Sequence, residues 1–159
     1  MPQLPRAHFP TALAILSALW SASSTAAQTT VSGVRDLNFG FVIQGLATQV
    51  SPTDPIKSGQ FYFRTPGLGS RVRVQFTLPT QLNGPAGATL PIAFQTTDGF
   101  IKGTATSSIG LTFNPNATST FNMVTSADAN VWLGGRVTPA INQTVGGYTN
   151  TVIMTVTVF

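Results

Sequence analysis

From Gln28 onward the chain breaks into short apolar or alternating runs separated by Gly, Pro, Asn, Asp and Ser, the pattern of strands joined by turns. No stretch carries a helical period. The clearest run is Arg71 to Leu78: Val72, Val74, Phe76 and Leu78 fall on one face, Arg71, Arg73, Gln75 and Thr77 on the other, and Pro79 stops the ladder. Such strict period-two alternation puts one face of a sheet in a core and the other in water. Further strands are expected at Asp36 to Ile43, Ser58 to Arg64, Leu90 to Gln95, Ile109 to Phe113, Thr120 to Val124, Ala129 to Thr138 and Thr149 to Phe159.

Short strands recurring at this spacing predict an all-β protein. The expected architecture is an immunoglobulin-like antiparallel two-sheet β-sandwich of about 7–9 strands. The alternative is an eight-stranded β-barrel, in its membrane form a small outer-membrane barrel. Trp132, Tyr62 and Tyr148 are sparse material for an aromatic girdle, and Thr157, Thr155 and Ile153 make a poor lipid-facing stripe.

The last run separates an apolar face, Val152, Met154, Val156 and Val158, from a polar one, Thr151, Thr155 and Thr157, with Ile153 and Phe159 as exceptions. An exposed β-branched strand invites pairing, so either the fold covers this one or a partner does. Val152, Met154, Val156 and Val158 are therefore the candidate assembly strand.

The opening segment changes the inventory of chemistry. Residues 1–27 pair a basic start, Arg6, with an apolar run of 12 residues, Phe9 to Trp20, and small residues through Ala26 and Ala27. This is the pattern of a secretory signal peptide. The run falls short of the ~20 residues of a spanning helix, so no membrane span is expected after cleavage. One β-sandwich domain, 28–159, is expected to remain, exported to the periplasm, cell surface or exterior. Cleavage removes the only histidine, and the chain has no Cys and no Glu. A mature chain with four scattered aspartates, Asp36, Asp54, Asp98 and Asp128, lacks the usual bases, nucleophiles and zinc ligands. No enzyme activity, catalytic residue, cofactor or metal is expected; Asp128-Ala129-Asn130 alone is too little for calcium.

Charged residues are 8% of the chain, against about 25% in an average domain. The formal charge of +4 comes from few groups and no basic run, so no nucleic-acid partner is expected. Arg64, Arg71 and Arg73 form the nearest cluster and could share a sheet face that meets a polyanion, although a solvated face is the simpler reading. A lectin-like adhesive domain is a further alternative, with Trp132, Tyr62 or loop Asn residues on a glycan; Trp132 reads more readily as core.

Three pieces in order carry a family resemblance: Leu37-Asn38-Phe39-Gly40-Phe41-Val42, Leu133-Gly134-Gly135 with Val137, and Gly146-Gly147-Tyr148-Thr149-Asn150-Thr151 leading into the last strand. Together they resemble a bacterial secreted family, domain of unknown function 4402, similar to spore coat protein U and chaperone-usher pilin-like domains. The resemblance implies a structural motif of Leu37, Phe39, Gly40, Leu133, Gly134, Gly135, Gly147 and Tyr148. It also implies a secreted, non-enzymatic structural protein, pilin-like (fimbrial) or coat-like, assembling through β-strand edges by self-association or with sister subunits, with a periplasmic chaperone as a further partner. One departure is visible. Gln28 to Arg35 offers only Val31 and Val34, out of phase for one face, so no strong strand for donation to a neighbour is expected there. For the glycines the physical expectation is separate: Gly40, Gly134 and Gly135 mark bulges or close backbone approach, and Gly146-Gly147 a turn that delivers Tyr148 into the final strand.

Overall fold

The structure, a computed structural model, describes residues 28–159; the signal peptide expected at 1–27 lies outside the described residues. The domain is an antiparallel β-sandwich. Its strands are β1 (Thr30–Arg35), β2 (Thr48–Val50), β3 (Gly59–Arg64), β4 (Ser70–Thr77), β5 (Gln81–Asn83), β6 (Thr89–Ala93), β7 (Gly99–Gly103), β8 (Leu111–Phe113), β9 (Ser119–Met123), β10 (Asp128–Leu133), β11 (Gly135–Val137) and β12 (Ile153–Val158). A single 3-10 turn, Pro85–Gly87, follows β5.

The strands form three sheets, in the orders β1-β3-β10-β7-β8, β2-β11-β6-β5 and β12-β4-β9. None closes on itself, which removes the barrel alternative. Twelve strands appear among the described residues where about 7–9 were expected, because short strands flank the long ones and the run expected at Ala129 to Thr138 is divided at Gly134 into β10 and β11. That division joins two sheets. Gly134 donates its N–H to the Asp98 carbonyl at 2.8 Å, and a Cβ at Gly134 would stand 2.5 Å from the Val50 carbonyl oxygen and 2.7 Å from the Pro52 nitrogen. Only glycine admits backbone that close.

The five-stranded and three-stranded sheets face each other across the main core. β10 turns Ala129, Val131 and Leu133 inward, β4 supplies Val72, Val74 and Phe76, and Phe63, Ile101, Phe113, Met123 and Met154 complete the buried set. Fully burying each large apolar side chain contributes about 1.5–3 kcal/mol. Phenylalanines from alternate sheets interleave: Phe61 meets Phe76 at 5.5 Å between centroids, Phe76 meets Phe113 at 6.3 Å, and Phe113 meets Phe121 at 5.4 Å. β4 runs one residue ahead of its expected bounds and keeps its expected faces.

A second, smaller core lies under the four-stranded sheet, where Phe39, Val50, Leu90, Ile92 and Val137 are buried and Leu37, Val42, Leu82, Phe94 and Tyr148 pack against them. The expected strand at Asp36 to Ile43 is absent. Leu37 and Phe39 do turn inward, but the backbone leaves the ladder and bends at Gly40, whose φ is +68°. The N-terminal strand is instead Thr30–Arg35, paired with β3 through a register shift between Gly33 and Arg35. That bulge explains the phase of its valines: Val31 lies opposite Phe63, while Val34 falls in the irregularity and is exposed.

Candidate functional site

Two sheet edges stand open on one side of the sandwich. Among the described residues β1 is paired only with β3, and β12 only with β4. β12 pairs from Ile153 opposite Thr77 to Val158 opposite Val72, and the Phe159 N–H donates to the Arg71 carbonyl at 3.0 Å. Antiparallel strands alternate the direction of their backbone groups. Ile153, Thr155 and Thr157 therefore point N–H and C=O toward β4, while Met154, Val156 and Val158 aim theirs outward, where no strand of the described residues lies. The side chains of the same three residues turn toward the core, Met154 buried and Val156 and Val158 half-buried.

Next to these edges lies a groove of about 880 Å³. One wall is the end of β1 and the irregular segment through Val42; the other is the stretch from Gln143 to Val152; Phe61, Leu82, Leu90, Ile92 and Leu133 form the floor. Each wall is tied to its own side. On the first, Arg35 donates from Nε to the Ser58 carbonyl at 2.8 Å and from Nη2 to Ser58 Oγ at 2.9 Å, and the Asn38 N–H donates to the Lys57 carbonyl at 2.9 Å. On the second, Asn83 and Thr149 exchange backbone bonds of 2.8 and 2.9 Å, and Asn150 donates from Nδ2 to the Gln81 carbonyl at 2.7 Å. Tyr148 Oη accepts from Gln143 Nε2 and donates to the Thr144 carbonyl, both at 2.6 Å.

The walls join at one end. Gly45 donates its N–H to the Ala140 carbonyl at 3.2 Å, and Gln44 reaches the Gln143 carbonyl through Nε2. The two loops brought together there expose Phe41 fully, Ile141 at 85% and Val145 at 87%, with Ile43 close by in sequence. Clustered apolar exposure beside an apolar groove is the surface pattern of an interaction site rather than of scattered surface residues.

The structure gathers most of the motif residues onto this groove. Leu37, Phe39, Gly40, Leu133, Gly147, Tyr148 and Val152 line it. Gly134 and Gly135 lie behind it, where Gly134 permits the backbone approach described above and a Cβ on Gly135 would stand 3.4 Å from a Leu37 methyl. Of the candidate assembly strand, Val152 reaches the groove and Met154, Val156 and Val158 continue along β12. Tyr148 does not open the final strand as expected: a lone bridge between Thr149 and Asn83 comes first, and β12 begins only at Ile153.

Several side chains singled out in the sequence sit elsewhere. Trp132 is not core. It points outward from β10, half-buried against Phe100 at 5.7 Å between centroids. Arg64 does not share a face with Arg71 and Arg73, because it lies on β3 in the five-stranded sheet and they lie on β4 in the three-stranded one. The four aspartates stay apart. Asp36 borders the groove, and Asp54 accepts the N–H groups of Lys57 and Ile56, which hold its carboxyl below the ordinary 3.8. Buried Asp98 accepts the Gln95 N–H at 2.7 Å, and Asp128 accepts the hydroxyl of Tyr62 at 2.8 Å. That hydroxyl lowers the Asp128 carboxyl, and the carboxylate in turn raises the phenol of Tyr62 above 10.0. Among the described residues no three His, Cys, Asp or Glu side chains converge as a metal site would need, and no helix is long and apolar enough to cross a membrane.

No protein-family model matches the chain, and neither the curated proteins nor the solved structures contain a match to it.

Proposed function

We propose that this protein is an exported, non-enzymatic structural subunit of the bacterial periplasm or cell surface, pilin-like or coat-like, which self-associates or joins sister subunits by strand pairing. The observation that carries the reading is the row of outward backbone groups on β12, which starts just past Val152 at the end of an apolar groove with exposed hydrophobic rims. A strand added there would satisfy those groups and turn alternate side chains toward the core side of the sheet, with its end beside Val152 reaching the groove. The resemblance of the groove-lining residues to secreted coat and pilin-like domains supports the same reading.

The test is size-exclusion chromatography with light scattering on the exported chain, purified without detergent. The reading expects concentration-dependent oligomers or fibres. Val156→Pro removes one outward N–H without removing a bond to β4, so it should leave the monomer folded and shift the population strongly toward it. A wild-type protein that stays monomeric at high concentration would contradict the proposal.

A further inference from the structure

The outer face of the three-stranded sheet carries a pattern that edge pairing does not use. β4 turns Arg71, Arg73 and Gln75 to solvent, β9 turns Thr120 and Asn122, and β12 turns Thr155 and Thr157, all of them exposed. The register sets Thr157, Arg73 and Thr120 in one cross-strand row, and Arg71 beside Asn122 in the next. No carboxylate side chain occurs on β4, β9 or β12.

Both guanidiniums gather at one aromatic ring. Arg71 Cζ and Arg73 Cζ each lie 5.2 Å from the centroid of the Phe159 ring, so the two cations are separated by at most twice that distance. The ring attracts each of them and restricts their rotamers, while the charges repel one another. An anion bridging them relieves that repulsion and can accept from two planar donor forks.

We propose that this face binds an acidic polysaccharide, one bearing carboxylates on its sugars, with Arg71 and Arg73 as carboxylate ligands and Phe159 as their positioning residue. Charge complementarity selects an anion. The hydroxyls and amides around the pair, on Thr120, Asn122, Thr157 and Gln75, suit sugar hydroxyls. A nucleic acid fits less well: tight binding to its dense phosphates draws on many more cations, and a single strand needs free aromatic platforms, whereas Phe159 is engaged by the arginines.

The experiment is affinity electrophoresis of the full exported chain through gels containing polygalacturonate, neutral dextran or a thymidine oligonucleotide. Retardation is expected in polygalacturonate, reversed by added salt, and not in dextran. Arg71→Gln with Arg73→Gln should weaken binding about tenfold, the scale of two exposed charge-assisted contacts. Phe159→Ala keeps both charges and should still weaken it by a smaller factor. Lys102→Gln with Arg136→Gln removes the same charge from other strands and should change nothing. Melting curves establish that each variant is folded. The proposal is overturned by wild-type protein that runs alike in polygalacturonate and dextran, by equal weakening in the control pair, or by tighter binding to the oligonucleotide through the same arginines.

Discussion

The two cores of this sandwich are built differently. The main core has eleven buried hydrophobics packed between two sheets, with phenylalanine rings interleaved from both sides, and meets the groove only at Leu133, Phe61 and Val152. The second has five, and the groove opens one of its walls. Its walls are fixed by side-chain and turn hydrogen bonds more than by long ladders, which is where local opening is expected to cost least. The main core supplies most of the buried surface, while the groove over the second core leaves apolar surface uncovered and the edges of β1 and β12, on the two sheets that enclose the main core, leave backbone groups unpaired among the described residues.

The largest expected effect lies in the main core. Phe63 has no exposure, and Phe63→Ala should cost about 3–5 kcal/mol because the cavity has no open side through which to relax. Urea unfolding would measure it, and a cost below that of a groove variant would break the contrast between the cores. Next comes Gly134→Ala at the joint between them. The added methyl meets backbone atoms of Val50 and Pro52, so strain of about 1–3 kcal/mol is expected, with hydrogen exchange rising first in β2 and β11. Phe39→Ala, on the open wall, should cost roughly 2 kcal/mol, near the transfer value alone, since solvent can occupy the space left.

The smallest effects are electrostatic. The Tyr62 hydroxyl holds the Asp128 carboxyl below 3.8, with Thr104 and Ser126 adding hydrogen bonds. A lowered folded value means that this contribution is present above 3.8 and disappears as the pH falls through the lower value. The Tyr62 phenol is raised by the same bond, so its contribution is present below 10.0 and fades as the pH climbs through the folded value. Melting temperature against pH should therefore fall at both extremes, and Asp128→Asn should flatten both limbs slightly.

What could be read from the sequence follows the same division. β4 and β12 were legible because each sits with one face on the main core and the other in water, so burial writes a strict alternation into the chain. β1 was not, since its bulge shifts the phase of Val31 and Val34. β7 was also missed: Gly99 and Gly103 bound it, and between them only Ile101 is a buried hydrophobic. The stretch through Leu37 and Phe39 shows how alternation can mislead, because two inward side chains can plug a core without a paired backbone. The motif residues were visible one by one, but their convergence on a groove depends on how Gly134 joins two sheets and how Asn83 holds Thr149, contacts between distant segments that no local pattern encodes. Trp132 was misplaced for the opposite reason. Its size suggested burial, yet β10 alternates so that Val131 and Leu133 take the inward positions.

The most direct test of edge pairing is amide hydrogen exchange along β12, compared between monomeric and assembled protein. The account predicts that the Thr155 and Thr157 amides, bonded to β4, are protected in both states. The amides of Met154, Val156 and Val158 should exchange readily in the monomer and become protected on assembly. Oligomers in which those three amides still exchange as fast as in the monomer would contradict it.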